Sequence, residues 1–159
     1  FHSPGGRMTA EGDSMRAISL WQPWATAVAL GVKKVETRHW STRYTGPIAI
    51  HAAKRWAKPE RDFAAVEHAL GRLPKHLPFG AIIATATLMG CRMAQDVGHQ
   101  VGAIERIYGD YAHGRFAWFL TDVIAFDEPI PFPGARGFFN VPDELFTGMR
   151  PHPQRAQSV

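Results

Sequence analysis

The stretch Gly31-Val-Lys-Lys-Val-Glu-Thr-Arg38 constrains the fold more than any other. Upstream, residues 24–30 are short, Ala-rich and apolar, which reads as a buried helix opened by Pro23. Gly31 is a natural helix stop, because it reaches positive φ without a Cβ clash. The chain must then pass straight into a strand in which Lys34, Glu36 and Arg38 alternate onto one face. Lys33 falls at the turn into that strand. A buried helix therefore fixes where Lys33 and Glu36 point.

Two readings fit this charged strand. It is either a solvated edge that resists edge-to-edge pairing or the wall of a polar site. The preceding Ser19-Leu-Trp-Gln-Pro-Trp-Ala25 adds Trp21, Gln22 and Trp24. The two indoles are either core or stacking platforms beside cations, where a base would stack and a phosphate would bind by charge.

Charge is segregated along the chain. Between Gly31 and Arg61, eight lysines and arginines face only Glu36 and Glu60, whereas acidic residues are in excess over the rest of 15–146. A basic segment of this kind, in a chain of formal net charge +4, favours an anionic partner. Lys54-Arg-Trp-Ala-Lys58 extends it with cations around Trp56, a mixture suited to nucleic acid. His51, in a strand with one small-residue face, reads either as a structural histidine or as a site residue.

The 159 residues suit one domain. Residues 1–14 are rich in Gly and Ser and read as a flexible leader, and 147–159 read as a flexible tail. No run of about 18 apolar residues or export signal core is present, so no membrane partner is expected and a cytoplasmic location is. Cys91 is the sole cysteine, which excludes an internal disulfide and a multi-cysteine zinc site. It is expected beyond its strand. No metal site, P-loop or dinucleotide fingerprint is found, and no cofactor is expected.

Further along, Ile48, Ile50 and Ala52 alternate with Ala49, His51 and Ala53 as a strand. A helix opens at Pro59, with Phe63, Val66, Leu70 and Leu73 as its apolar stripe. Phe79 to Leu88 and Phe116 to Val123 read as strong strands. Val97 to Tyr108 reads as helix, and Tyr111 and His113 as a lid. Pro129, Pro131 and Pro133 suggest an extended crossing segment. The sum is an α+β, mainly-β chain forming a small mixed or antiparallel barrel of five to six strands with two or three flanking helices.

The pattern Gly31-x-Lys33-x-x-Glu36-x-Arg38, preceded by Ser19-x-Trp21-Gln22-Pro23-Trp24-Ala25 and followed by Arg136-Gly-Phe-Phe-Asn-Val141, resembles the ASCH domain family, over about residues 15–146. The resemblance implies a PUA-like β-barrel and binding of RNA or another nucleic acid; a monomer is expected. It also implies a cleft lined by Lys33, Glu36 and Arg38 and walled by Trp21, Gln22 and Trp24. Lys34, His51, Lys54 and Arg55 complete the expected binding set. Some small bacterial members resemble amidohydrolases of acylated cytidine, and others are proposed ribonucleases. That implies an alternative hydrolase of modified nucleosides or RNA, with Lys33 and Glu36 catalytic. The amidohydrolases keep the lysine but carry threonine where Glu36 stands, and their third acidic residue has no counterpart here. Lys33 and Glu36 are thus either an acid–base pair or an inert salt bridge.

Overall fold

The computed structural model describes residues 13–148. The expected leader and tail lie largely outside that range. Within it, Ser14 opens the first strand and faces Pro142.

Six strands and four short helices alternate in the order β1 (Ser14–Leu20), α1 (Trp24–Ala29), β2 (Val35–Arg38), β3 (Gly46–Ala52), α2 (Lys58–Ala69), β4 (Ala81–Met93), α3 (Ala94–Val97), α4 (Ala103–Ile107), β5 (Phe116–Pro131) and β6 (Phe139–Pro142). The strands form one sheet in the order β2-β5-β4-β3-β1-β6. Only β1 and β3 run parallel; the other neighbours are antiparallel. The mainly-β, mixed architecture expected from the sequence is present. The sheet does not close into a barrel, because its edge strands β2 and β6 do not pair with each other. Register shifts interrupt the β3–β4 and β4–β5 ladders, and such bulges bend strands and sharpen their twist.

Strand alternation distributes the core to both faces. Ile18, Leu20, Ile48 and Ile50 pack with Ala25 and Val28 of α1 and with Trp118. Ala17, Ala49, Ile82 and Val141 form the opposite cluster, covered by Phe132, Phe139, Leu145 and Phe146.

Several expectations are corrected. β4 runs on to Met93, so Cys91 lies inside it, opposite Trp118. β5 continues through the proline segment to Pro131. It tolerates Pro129 and Pro131 because β2 pairs only with Phe116–Phe119, leaving the later half of β5 an edge where a missing N–H breaks no ladder bond. The stretch read as one helix over Val97–Tyr108 breaks into α3, a 3-10 turn at Gly98–Gln100 and α4.

Helix α2 differs most. Val66 and Leu70 are 55% and 58% exposed, whereas Glu60 and Glu67 are buried. Each glutamate has a partner that makes burial affordable. Glu60 accepts from the Ala57 N–H at 3.0 Å and pairs with Arg55 at 3.2 Å. Glu67 pairs with Arg72 at 2.6 Å and accepts from the Tyr108 hydroxyl at 2.6 Å. Satisfied charges thus share the inner face with Phe63 and Leu73 of the expected stripe, while Val66 and Leu70 face outward.

Candidate nucleic-acid interface

The local fold around Lys33 begins in α1. Gln22 is fully buried and accepts the Thr26 N–H at 2.9 Å, taking up one free donor of the helix start. Gly31 has φ +80°, the stop expected of it. The N–H groups of Val32 and Lys33 both return to the Ala27 carbonyl, at 2.9 and 3.1 Å. The Lys33 backbone is therefore tied to the end of a buried helix.

β2 is held from the other side. Glu105 of α4 accepts the N–H groups of Lys34 and Val35 at 2.8 and 3.1 Å. Asp110 donates its N–H to Thr37 Oγ1 at 2.9 Å, and Arg115 donates to the Thr37 carbonyl at 2.9 Å. Between β2, the end of β1 and the 107–115 segment lies a cleft of about 460 Å³, the size of a small-molecule site.

Glu36, Arg38, Trp21 and Trp24 all line this cleft. Glu36 Oε1 lies 3.7 Å from Lys33 Nζ, and its Oε2 accepts from Arg38 Nη1 at 3.2 Å. Lys33 is 1% exposed and also donates to the Tyr108 carbonyl at 2.8 Å. Burial holds its ammonium below the usual lysine value, against Glu36 and Glu105, which favour the charged form. Arg38 lies over Trp40 and Trp118, 5.5 and 5.8 Å from their ring centroids. Its Nε is buried without a hydrogen-bond partner. Arg115 brings a second guanidinium to the cleft, 3.6 Å from Asp110.

The two indoles differ. Trp24 is half-buried and stacks on Phe63 at 5.4 Å, so it serves core and cleft together. Trp21 is 49% exposed and carries the Arg55 guanidinium 4.1 Å over its ring.

Six residues expected at the site, Gln22, Lys33, Lys34, His51, Lys54 and Arg55, stand outside the cleft lining. Lys34 is exposed and precedes β2; it is Lys33, not Lys34, that meets Glu36. Gln22 is buried, donating to Thr26 Oγ1 at 2.7 Å and to the Pro78 carbonyl at 2.8 Å. His51 is 2% exposed. Its Nε2 lies 2.7 Å from the Phe132 carbonyl, so Nε2 bears the proton. Its Nδ1 lies 2.8 Å from Ser19 Oγ and accepts there. Burial lowers its pKa, consistent with a neutral structural ring. The room on its face is taken: Phe139 packs edge-on at 5.7 Å. Lys54 is exposed, its stem lying over Gly80.

Sequence reading missed Thr37, His39, Tyr108, Asp110 and Arg115 as cleft residues. His39 continues the charged strand and was within reach of that argument. Thr37 stands inside the motif itself, between Glu36 and Arg38, whereas Tyr108, Asp110 and Arg115 arrive from beyond residue 100 and leave no local signal. Tyr111, expected in a lid, packs against Val35, Ala94, Val97 and Ala117 and anchors the loop instead; His113 is exposed. Among the described residues, no three His, Cys, Asp or Glu side chains gather as a metal site. No helix among them is long and apolar enough to cross a membrane.

The ASCH domain family model matches residues 18–130. The chain belongs to the ASCH domain family. Similar solved structures include the ASCH protein of Zymomonas mobilis, at 18% identity and TM-score 0.51, covering 91% of this chain and 94% of that one. Two single-substitution variants of the same protein match at 19% identity and TM-score 0.56, covering 86% and 99%, and at 20% and 0.54, covering 84% and 92%. At such identities the likeness shows the fold alone. No curated protein matches the chain. In this ASCH domain, Lys33, Glu36 and Arg38 form one connected group, of which Glu36 and Arg38 line the cleft.

Proposed function

We propose that this ASCH domain binds nucleic acid, with RNA as the expected polymer, by taking one unpaired nucleotide into the cleft. The observation that carries the reading is the make-up of the cleft lining, which brings Arg38 and Arg115 together with the half-exposed Trp21. Cations hold phosphate, an indole stacks on a base, and Glu36 accepts from base N–H groups. Glu36 can do this while paired, because a carboxylate offers more acceptor positions than its two cations occupy.

The test is a titration of cytidine 5′-monophosphate and short single-stranded RNA against wild type and Arg38→Ala, at low and moderate salt. Weaker binding of both ligands by the variant, with log K for the RNA falling as log salt rises, is the expected outcome. RNA affinity that ignores both the salt and the substitution would sink the proposal.

A second reading has one observation in its favour: the buried Lys33 ammonium, with its lowered pKa, touches a carboxylate that faces the cleft. In a hydrolase, Glu36 would meet the substrate and Lys33 would tune it from behind. Overnight incubation with acylated cytidine and with RNA decides it. Product that disappears in a folded Lys33→Met variant supports the enzyme, and absence of product removes it.

A further inference from the structure

The cleft opens onto a second surface whose residues the single-nucleotide reading does not use. Trp21 belongs to both, because it lines the cleft and lies under Arg55. Arg55 is fixed there by Glu60 at 3.2 Å. Beyond it, Trp56 packs edge-on against Phe79 with centroids 5.1 Å apart, and Phe79 is 37% exposed. Lys58 and Arg61 are exposed beside them, at the start of α2. Arg61 donates to the Trp56 carbonyl at 3.0 Å. The hydrogen bond from Gln22 to the Pro78 carbonyl joins the residue after Trp21 to the residue before Phe79. The two aromatic surfaces are therefore braced against each other by a buried amide.

We infer that this rim is the continuation of the cleft: a single nucleic-acid strand held by one nucleotide in the cleft passes over Trp21 and Arg55 onto Trp56 and Phe79. Cations that follow a backbone, interleaved with exposed aromatic rings, form the usual platform for unpaired bases. A duplex keeps its bases stacked on each other and offers these rings nothing. Charge favours a polyanion here, with Lys54, Arg55, Lys58 and Arg61 against Glu60 and Asp62. The inference rests on the cleft reading for its anchor.

The experiment compares cytidine 5′-monophosphate, single-stranded RNA oligomers of increasing length and a duplex RNA. These are titrated against wild type, Trp56→Ala and the surface pair Lys58→Glu/Arg61→Glu, each first checked for cooperative unfolding. The expected result is affinity that rises with oligomer length. Trp56→Ala should lose about tenfold or more for an oligomer and nothing for the monophosphate, and the charge-reversed pair should lose oligomer affinity in the same selective way. The charge-reversed pair decides the matter if Trp56→Ala fails to fold. An oligomer bound no more tightly than the monophosphate, an oligomer affinity that the charge reversal leaves unchanged, or a duplex bound as tightly as the single strand overturns the inference. If the monophosphate does not bind while oligomers bind and respond to the rim variants, the cleft reading falls and the rim stands. If nothing binds, both fall.

Discussion

Lys33 Nζ lies 3.7 Å from Glu36 Oε1, and it is Glu36, not Lys33, that lines the cleft. Glu36 also holds Arg38, so one carboxylate serves two cations. Removing it leaves a buried ammonium with the Tyr108 carbonyl and the more weakly acting Glu105. Glu36→Gln is expected to cost about 3 kcal/mol of stability, the scale for breaking a buried pair. Lys33→Met is expected to cost less, because Glu36 keeps Arg38 and a desolvated charge is gone. Urea denaturation of the two variants checks this, and equal losses would contradict the geometry.

Tyr108, which lines the cleft, and Tyr111, which packs against Val35 and Ala117, make a contrasting pair. The Tyr108 hydroxyl donates to Glu67 at 2.6 Å, and its pKa is raised by burial and by that carboxylate. The Tyr111 hydroxyl is buried with no partner, and burial pushes its pKa up to about 12. Tyr108→Phe is expected to cost about 1–2 kcal/mol, because it takes a donor from a buried carboxylate. Tyr111→Phe is expected to be neutral or slightly stabilising, because it removes a group that burial desolvates without return. Thermal melts of the two variants should move in different directions or by clearly different amounts.

His51 predicts a pH dependence. Its folded pKa lies below 6.5 because of burial, so the unfolded chain takes up the proton first as pH falls. Stability from this group is complete above about pH 6.5 and declines as pH drops toward the folded value, by at most about 1.4 kcal/mol per pH unit. Glu67 works in the same sense but in a lower window: its pKa is held below 4.5 chiefly by Arg72, so its contribution is lost only at more acid pH. Denaturation between pH 7.5 and 5.5 should therefore show a slope in wild type that His51→Gln flattens. A slope unchanged by the substitution would place its origin elsewhere.

The legible part of this chain was local. Gly31 reached positive φ, α1 formed along the apolar run and ended before Gly31, and Lys33, Glu36 and Arg38 met because strand and turn geometry placed them together. What failed depended on partners far away in sequence. Val66 and Leu70 were expected inside, but Arg55, Arg72 and Tyr108 pair Glu60 and Glu67 there, and Val66 and Leu70 face outward. Lys34 shared the expected face with Glu36, but Glu105 seized the backbone at that position and the side chain went to solvent. The proline segment looked unfit for a sheet because the sequence does not say how far β2 pairs along β5.

Gly134 provides the last prediction. It lies in an exposed stretch, yet a Cβ there would meet His51 Cε1 at 2.7 Å, Nδ1 at 3.1 Å and Ser19 Oγ at 3.2 Å. The ring cannot retreat without giving up the Phe132 carbonyl or Ser19, so the loop must move. Gly134→Ala is expected to destabilise by about 1–3 kcal/mol, as overpacking does. Gly90→Ala meets nothing within 4 Å and should be neutral or slightly stabilising through the unfolded chain. In a double-mutant cycle with His51→Ala, the methyl group loses its obstacle, so the double variant should be more stable than the sum of the single losses. Additive losses would mean that the loop yields freely and that the contact between Gly134 and His51 holds nothing in place.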